Sequence, residues 1–551
     1  MIVKKKNLTI FLFFILYFVL GLTIFKDYGI GIEEHFQRQN GFFWLKSILK
    51  FLNFDTLSSL ADTIYLQNKI SDPYLPDPNI YNFYGIIFDT PLALLELLLN
   101  KKEISFFFHI RHLVVFIFFF LSSIFFYRIL KNRFKNQLLV FLGILIYCFT
   151  PRIFGDSFHN NKDIIFLSFV TISFFYLFKL IDKFNLKTLF LFSLFSAFAT
   201  STRILGIFLP MIFILFIFFE LLSNKILLKD LFVKFFLVFF LYIIILYLHY
   251  PYIWQLNINN LLDWFKVFFI DIDYKVLFNG EYYHIKHLPK LFLLNWIAIT
   301  TPVYILFLFL ISYFIIFKRL FNRILTLRDQ VQPFNDLWRS NREKKDLIIF
   351  FSLNLFLIYS FVFNPTILGG WRYMYFLHVF IVYISLIIID ILLIYFRKSK
   401  FKKNFLIFIN FILVSLILKT LLLYHPYQSL YFNNFINKEN VQKFPVDISS
   451  LSRFDGIREI ISINKNSTKI MIANSSWTPL HNGQDLLPEE SKIDLIFVGQ
   501  EYNKANYIYS NFIYEFDPSL SKKYNIPNNF KEIKNKKIGD LLIYSVYKKV
   551  D

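Results

Sequence analysis

"NLTIFLFFILYFVLGLTIFKDYGIGIEEHF", residues 7–36, decides how the rest of the chain is read. A helix needs roughly 20 apolar residues to cross the hydrocarbon core of a bilayer, and 7–25 is such a run. Lys4, Lys5 and Lys6 precede it, Lys26 and Asp27 follow it, and no small-residue cleavage site interrupts it. It therefore reads as a retained anchor and not as a removed signal peptide. One short loop beyond the membrane, the same stretch places two adjacent carboxylates, Glu33 and Glu34.

Working outward, the composition agrees with a membrane chain. With 56% hydrophobic, 21% aromatic and only 18% charged residues, the sequence cannot be the surface and core of one soluble domain. The 77 Phe reflect an AT-rich genome as much as selection, so aromatic abundance alone marks no binding platform. The net charge of +21 sits in short loops between apolar segments, where the positive-inside rule accounts for it and nucleic-acid binding is not needed. A single cysteine, Cys148, excludes an internal disulfide framework and Cys-based zinc sites.

About eleven apolar runs are long enough to span: near 7–25, 110–130, 136–151, 164–182, 187–202, 204–222, 232–250, 293–317, 347–364, 373–396 and 404–424. Every alternate loop is basic: Lys4–Lys6, Arg128–Lys135, Lys179–Lys187, Lys225–Lys234, Lys318–Lys345 and 397–403. That alternation predicts an inner N-terminus and an outer C-terminus. The expected architecture is an all-α polytopic membrane domain over 1–439, followed by a small outward α/β domain over 440–551. The first outer loop, about 26–109, carries two amphipathic stretches, 41–52 and 90–99, too short to span and suited to the interface. Between them the prolines of "SDPYLPDPN" (71–79) break any helix. In the last segment, "RFDGIREIISINKN" reads as a helix, and "TKIMIANSS", "KIDLIFVGQ" and "IGDLLIYSVYKK" as strands.

Paired carboxylates on an outward loop suit general-base work on a hydroxyl. One accepts the proton while its neighbour orients the acceptor or raises the base's pKa by like-charge repulsion. The plainer alternative is a solvated pair at a membrane exit.

The chain resembles the GT-C glycosyltransferases, in particular the family 39 group that includes protein O-mannosyltransferases and the aminoarabinose transferase of lipid A. That group carries D-x-G-I-x-x-D-E just after its first helix, and this chain has "DYGIGIEE" at 27–34. Glu33 stands at the Asp position, which keeps the charge and adds a methylene. "FDTPLALLELL" (88–98), "HIRHLVVF" (109–116), "TPRIFGDSFHNNKD" (150–163) and "FATSTRILGIFLP" (198–210) are similar to further segments of the group, in order. "NGEYYHIKHLPKLFLLNWIAITTP" (279–302), "GGWRYMYFLH" (369–378) and "YHPYQSLYFNNF" (424–435) complete the set.

The resemblance implies a membrane glycosyltransferase that takes a sugar from a polyprenyl-phosphate donor, attacked at C1 with inversion, on the extracytoplasmic face of a bacterial inner membrane. Glu33 and Glu34 are then the catalytic pair. A lipid phosphate needs outer-face cations, and Arg203, Arg152, Lys162 and Arg372 are the candidates. Asp156, His159 and Asp163 are close enough in sequence to hold substrate or a Mg²⁺ or Mn²⁺ ion, or to cap the following helix. Capping suits Asp163 and a site role suits Asp156; metal dependence stays open. Trp371 reads as an aromatic-belt anchor. The acceptor, a lipid, glycan or protein offering a hydroxyl or a phosphate, is not legible, and neither is the sugar. Rival readings are a secondary transporter, for which intramembrane Asp390 is the one pointer, an envelope polysaccharide polymerase or ligase, and a non-catalytic scaffold.

Overall fold

The computed structural model describes residues 2–72, 75–77, 84–101, 103–222, 226–254, 273–327, 338–464 and 469–550. Residues 73, 74, 78 and 79 of the proline-rich 71–79 stretch lie outside them. Among the described residues, eight helices are long and apolar enough to cross a membrane, and the bent pair Gln137–Phe149 and Pro151–His159, 56° apart, makes a ninth if counted as one span. Two shorter apolar helices, Leu8–Ile24 and Leu186–Thr202, cover the first and fifth apolar runs.

Helix α1 (Ile2–Ile24) leads into the first long loop, where α2 (Glu34–Phe51), α3 (Asp55–Ser71) and α4 (Asp89–Leu99) pack on one another. Phe42, Leu45, Leu49, Ala61, Tyr65, Ala93 and Leu97 make a small core of their own there. Arg38 of α2 donates through Nε to both Glu96 carboxylate oxygens of α4, at 3.1 and 3.0 Å, so the buried charge is paired and aimed. The amphipathic stretches at 41–52 and 90–99 fall within α2 and α4. Helix α3 is an addition to those two stretches, although Leu57, Leu60, Ala61, Ile64 and Tyr65 recur at helical spacing along it.

The bundle continues with α5 (Ile104–Arg133), α6 (Gln137–Phe149), α7 (Pro151–His159), α8 (Asp163–Asp182), α9 (Leu186–Thr202), α10 (Phe208–Leu222) and α11 (Leu228–Leu248). Helix α8 is buried along nearly its whole length, with α5 and α9 against it. Its Ser168 and Thr171 hydroxyls donate to carbonyls four residues back, each at 2.8 Å, which satisfies them without water.

The expected span at 293–317 is displaced. Pro302 cannot supply a helical N–H, and Thr301 before it takes an extended conformation (φ −94°, ψ 137°). The run therefore divides into α12 (Phe292–Thr300) and the long α13 (Val303–Leu327). Helices α14 (Asn341–Phe363), α15 (Leu377–Tyr395) and α16 (Lys400–Tyr424) complete the bundle.

Asp390 on α15 is ion-paired. Arg133 Nη1 donates to Asp390 Oδ2 at 3.2 Å, while Nε and Nη2 donate to Asp346 at 2.6 and 2.8 Å, and Tyr383 Oη donates to Asp346 at 2.9 Å. This network ties α5, α14 and α15 together, about 30 Å along α5 from His112.

Outside the bundle, a hairpin of β1 (Lys275–Phe278) and β2 (Glu281–His284) precedes α12. The C-terminal sheet domain has five strands: β3 (Ile470–Asn474), β4 (Leu495–Phe497), β5 (Tyr507–Ser510), β6 (Phe530–Ile538) and β7 (Leu541–Lys549), in the order β4-β3-β5-β7-β6. The β4-β3-β5 side is parallel and the β5-β7-β6 side antiparallel. Helix α17 (Ser452–Ile463) covers it. Strands β5 and β6 are the ones that hydrophobic pattern misses: β5 is four residues, and β6, "FKEIKNKKI", is largely exposed and charged.

Candidate active site

Glu33 and Glu34 differ in environment, although they are adjacent. Glu34 opens α2 and reaches back to accept the Gly31 N–H at 2.6 Å, in the manner of a capping-box glutamate. The same oxygen, Oε1, lies 3.1 Å from His112 Nε2, and the side chain is only 2% exposed. Glu33, one residue earlier, has a side chain 30% exposed and pairs with Arg372 Nη2. One carboxylate is thus enclosed in the fold and the other faces open space.

Arg372 reaches Glu33 through a turn that only glycine makes easily. Gly369 and Gly370 both have positive φ, +71° and +73°, and a Cβ on Gly369 would lie 2.5 Å from Arg372 Nε. The turn swings Trp371 inward, where it is 1% exposed and donates through Nε1 to Thr300 Oγ1 at 2.8 Å. Trp371 is therefore a buried anchor of this turn, a correction to the aromatic-belt reading. The neighbouring Arg already has a carboxylate to face, and the indole N–H has an internal partner.

Arg203 follows the last residue of α9 in an extended conformation and pairs with Asp163 at the start of α8. Tyr373 lies between the two guanidinium groups, its ring centre 3.9 Å from Arg203 Cζ and 5.4 Å from Arg372 Cζ. Arg203 Nε and Arg372 Nε are buried and donate to nothing among the described residues. Lys162 lies over the ring of Tyr84. With its amide turned to suit its neighbours, Gln37 accepts from Lys162 Nζ at 3.2 Å and donates to Asp89 Oδ2 at 3.1 Å. Asp89 in turn lies 3.3 Å from Arg111 Nη1.

These charges shape one another's protonation. Desolvation would raise the Glu33 pKa, but Arg372, Arg203 and Lys162 together hold it below the usual carboxylate range. Burial, with Arg203 adding to it, pushes the Lys162 ammonium well below its ordinary value, against the pull of Glu33, Asp89 and Asp163. Burial pushes Asp89 up to about 6, against Arg111 and Lys162.

Of the residues expected from sequence, Glu33, Arg372, Arg203, Lys162 and Asp163 come together. Arg152 does not join them: its Nε donates to Tyr431 O at 2.8 Å and its guanidinium lies over Trp296 and Phe432. That buried position braces the 424–435 segment. The Asp163 side chain does not cap its helix. The helix cap is Asn160, whose Oδ1 accepts the Asp163 N–H at 2.9 Å, which frees the Asp163 carboxylate to meet Arg203. Asp156 instead lies behind it, 3.1 Å from His159 Nε2. Asn160 Nδ2 donates to Asp156 Oδ2 at 3.4 Å and to Asp163 Oδ2 at 3.0 Å, and among the described residues no group of three or more His, Cys, Asp or Glu side chains is arranged to hold a metal ion.

Tyr373, Tyr84, Asp89, Gln37 and His112 belong to the cluster without having been singled out. Tyr373 and Asp89 lie inside stretches quoted above, but a tyrosine or a lone aspartate in an aromatic-rich chain carries no signal until the turn and α4 bring it beside the arginines. The arrangement offers one accessible carboxylate ringed by cations with unused donors, which suits binding a phosphate beside a base.

Residues 92–250 match the family of dolichyl-phosphate-mannose-protein mannosyltransferases. No curated protein matches the chain. Among the solved structures that align with it are two of ArnT from Cupriavidus metallidurans. The apo form is 12% identical, covers 79% of this chain and 83% of its own, and has a TM-score of 0.38. The form bound to undecaprenyl phosphate is 10% identical, covers 97% of each chain, and has a TM-score of 0.41.

Proposed function

We propose that the chain is a membrane glycosyltransferase of the GT-C type, a reading that the match of residues 92–250 supports, and that it transfers a sugar from a polyprenyl-phosphate donor to an acceptor hydroxyl on the extracytoplasmic face. The observation that carries the reading is Glu33, an accessible carboxylate ion-paired to Arg372 with Arg203 and Lys162 around it. The donor phosphate takes the cations. Arg372 and Arg203 present unused guanidinium N–H groups, and a forked guanidinium matches phosphate oxygens. Lys162, depressed by burial and Arg203, is drawn back toward its protonated form beside the anionic phosphodiester of the donor.

Once Arg372 turns to the phosphate, Glu33 loses its strongest opposing charge and becomes a better base. The acceptor O–H gives its proton to Glu33 as its oxygen bonds to C1. The C1–O bond to phosphate breaks, and polyprenyl phosphate leaves with the electron pair, its growing charge met by the same cations. In-line displacement inverts the anomeric configuration. Glu34, held by Gly31 N–H and facing His112, keeps the loop in shape.

An acceptor that is itself a phosphate arrives ionised and needs no base, so a hydroxyl acceptor, on lipid, glycan or protein, fits the carboxylate better. The proposed setting is a bacterial inner membrane, with residues 440–551 as an outward domain and the N-terminus inside. Mass spectrometry of envelope glycans and of the polyprenyl-phosphate pool in a deletion strain tests this. A missing sugar with an accumulating lipid-linked donor supports it, and unchanged glycans with an unchanged pool refute it.

A further inference from the structure

The C-terminal sheet domain is built onto the loop that carries Glu33. Ile32 N–H donates to Ser449 O at 3.0 Å. Gly29 passes so close to the segment after Ser449 that a Cβ on it would lie 2.2 Å from Leu451 O. His35 Nε2 lies 2.8 Å from Asp485 Oδ2. At the centre is Arg453 on α17, 1% exposed. Its Nη2 donates to Ile30 O at 2.9 Å, its Nε to Ser450 O at 2.8 Å and its Nη1 to Pro479 O at 2.8 Å.

All three of these partners are backbone carbonyls, two in the sheet domain and one in the loop three residues before Glu33. A buried cation is costly unless its hydrogen bonds are filled, and here the rigid guanidinium fork fills them by joining two parts of the chain more than 400 residues apart. The segment that presents Arg453 is itself pinned: Asp447 accepts the N–H groups of Leu451 at 3.0 Å and Ser452 at 3.1 Å.

We infer that Arg453 is a positioning residue for the candidate catalytic carboxylate, holding the 29–34 loop through the Ile30 carbonyl so that Glu33 stands at Arg372. This rests on the reading of Glu33 as the base. Arg453 hydrogen-bonds to neither Glu33 nor the phosphate-binding cluster, so its loss acts on the reaction chiefly through the geometry of the loop, and misplacing a catalytic group by about 1 Å reduces rates on the order of 10²-fold.

The test uses the full-length protein in lipid nanodiscs and in the deletion strain, with Arg453→Gln, Arg453→Lys and Gly29→Ala. Gly29→Ala pushes the loop off Leu451 O and changes no group of the sheet domain, so it carries the test if Arg453→Gln does not fold. Hydrogen exchange at the Ile32 amide should accelerate in Arg453→Gln and Gly29→Ala, with affinity for polyprenyl phosphate unchanged. Sugar transfer, read as the envelope glycan, should fall by about 10²-fold, and Arg453→Lys, with charge but no fork, should recover part of it. Full transfer with a deprotected Ile32 amide overturns the inference, as does phosphate affinity lost in step with transfer, the mark of a merely structural role. A fully active Glu33→Gln would instead refute the base, leaving the exchange result to stand on its own.

Discussion

Replacing Glu33 by Gln keeps the side chain's shape and removes both its basicity and its charge. Breaking a buried ion pair destabilises by roughly 3–5 kcal/mol, but the Glu33 side chain is 30% exposed and solvent screens it, so about 1–2 kcal/mol is expected. A positioned base contributes about 10²–10⁴-fold, so transfer to a hydroxyl should fall by that factor, or about 3–5 kcal/mol in the barrier. Phosphate binding should move the other way. Glu33 competes with the donor phosphate for Arg372, so Glu33→Gln should bind polyprenyl phosphate more tightly, by up to about tenfold, or roughly 1.4 kcal/mol. Titration of polyprenyl phosphate into protein in nanodiscs reads the affinity, and the envelope glycan of the complemented deletion strain reads transfer. Weaker binding would show that Glu33 does not occupy the phosphate's place. Tighter binding with undiminished transfer would show that no base is needed and that the acceptor arrives ionised.

Four further outcomes are expected. Arg203→Ala should weaken polyprenyl phosphate binding and, by leaving Asp163 buried and unpaired, destabilise by roughly 3–5 kcal/mol; adding Asp163→Asn should restore the melting temperature but not the affinity, and restored affinity would remove the phosphate role. Because Lys162 is depressed when free, phosphate binding should take up a proton and weaken as pH rises, and calorimetry in buffers of different ionisation enthalpy should show an uptake that Lys162→Met abolishes. Asp89, held up to about 6 by burial against Arg111 and Lys162, has a folded value above its unfolded one. Its stabilising effect is present below about 3.8 and lost as pH rises through about 6, at most roughly 3 kcal/mol, so melts of Asp89→Asn should lack that dependence. Reporter fusions after Lys345 and at Asp551 should report opposite sides of the membrane; both on one side would contradict the topology.

The local code was enough for the membrane architecture and for the carboxylate pair. Apolar runs of spanning length and alternating basic loops are properties of contiguous residues, because the bilayer acts on each helix separately. "DYGIGIEE" could be recognised because Glu33 and Glu34 are adjacent and Asp27 stands only six residues before them. Pattern failed where a single backbone constraint overrode hydrophobicity, as at Thr301–Pro302, and where a strand was charged, as in β6. Which glutamate faces outward was not written in "GIEEHF": it follows from His112 on α5 and the Gly31 N–H closing around Glu34 while Arg372, more than 300 residues away, meets Glu33. Arg152 and Arg203 are both outer-face arginines in the sequence, and only packing separates the one that braces Tyr431 O from the one that faces Tyr373. Arg453 had no signature at all, because its role is defined by carbonyls, which every residue carries. Short-range chemistry specified the helices and the adjacent carboxylates, and tertiary structure alone determined the partner of each charge, because an ion pair depends on distance in space and the chain encodes only distance along itself.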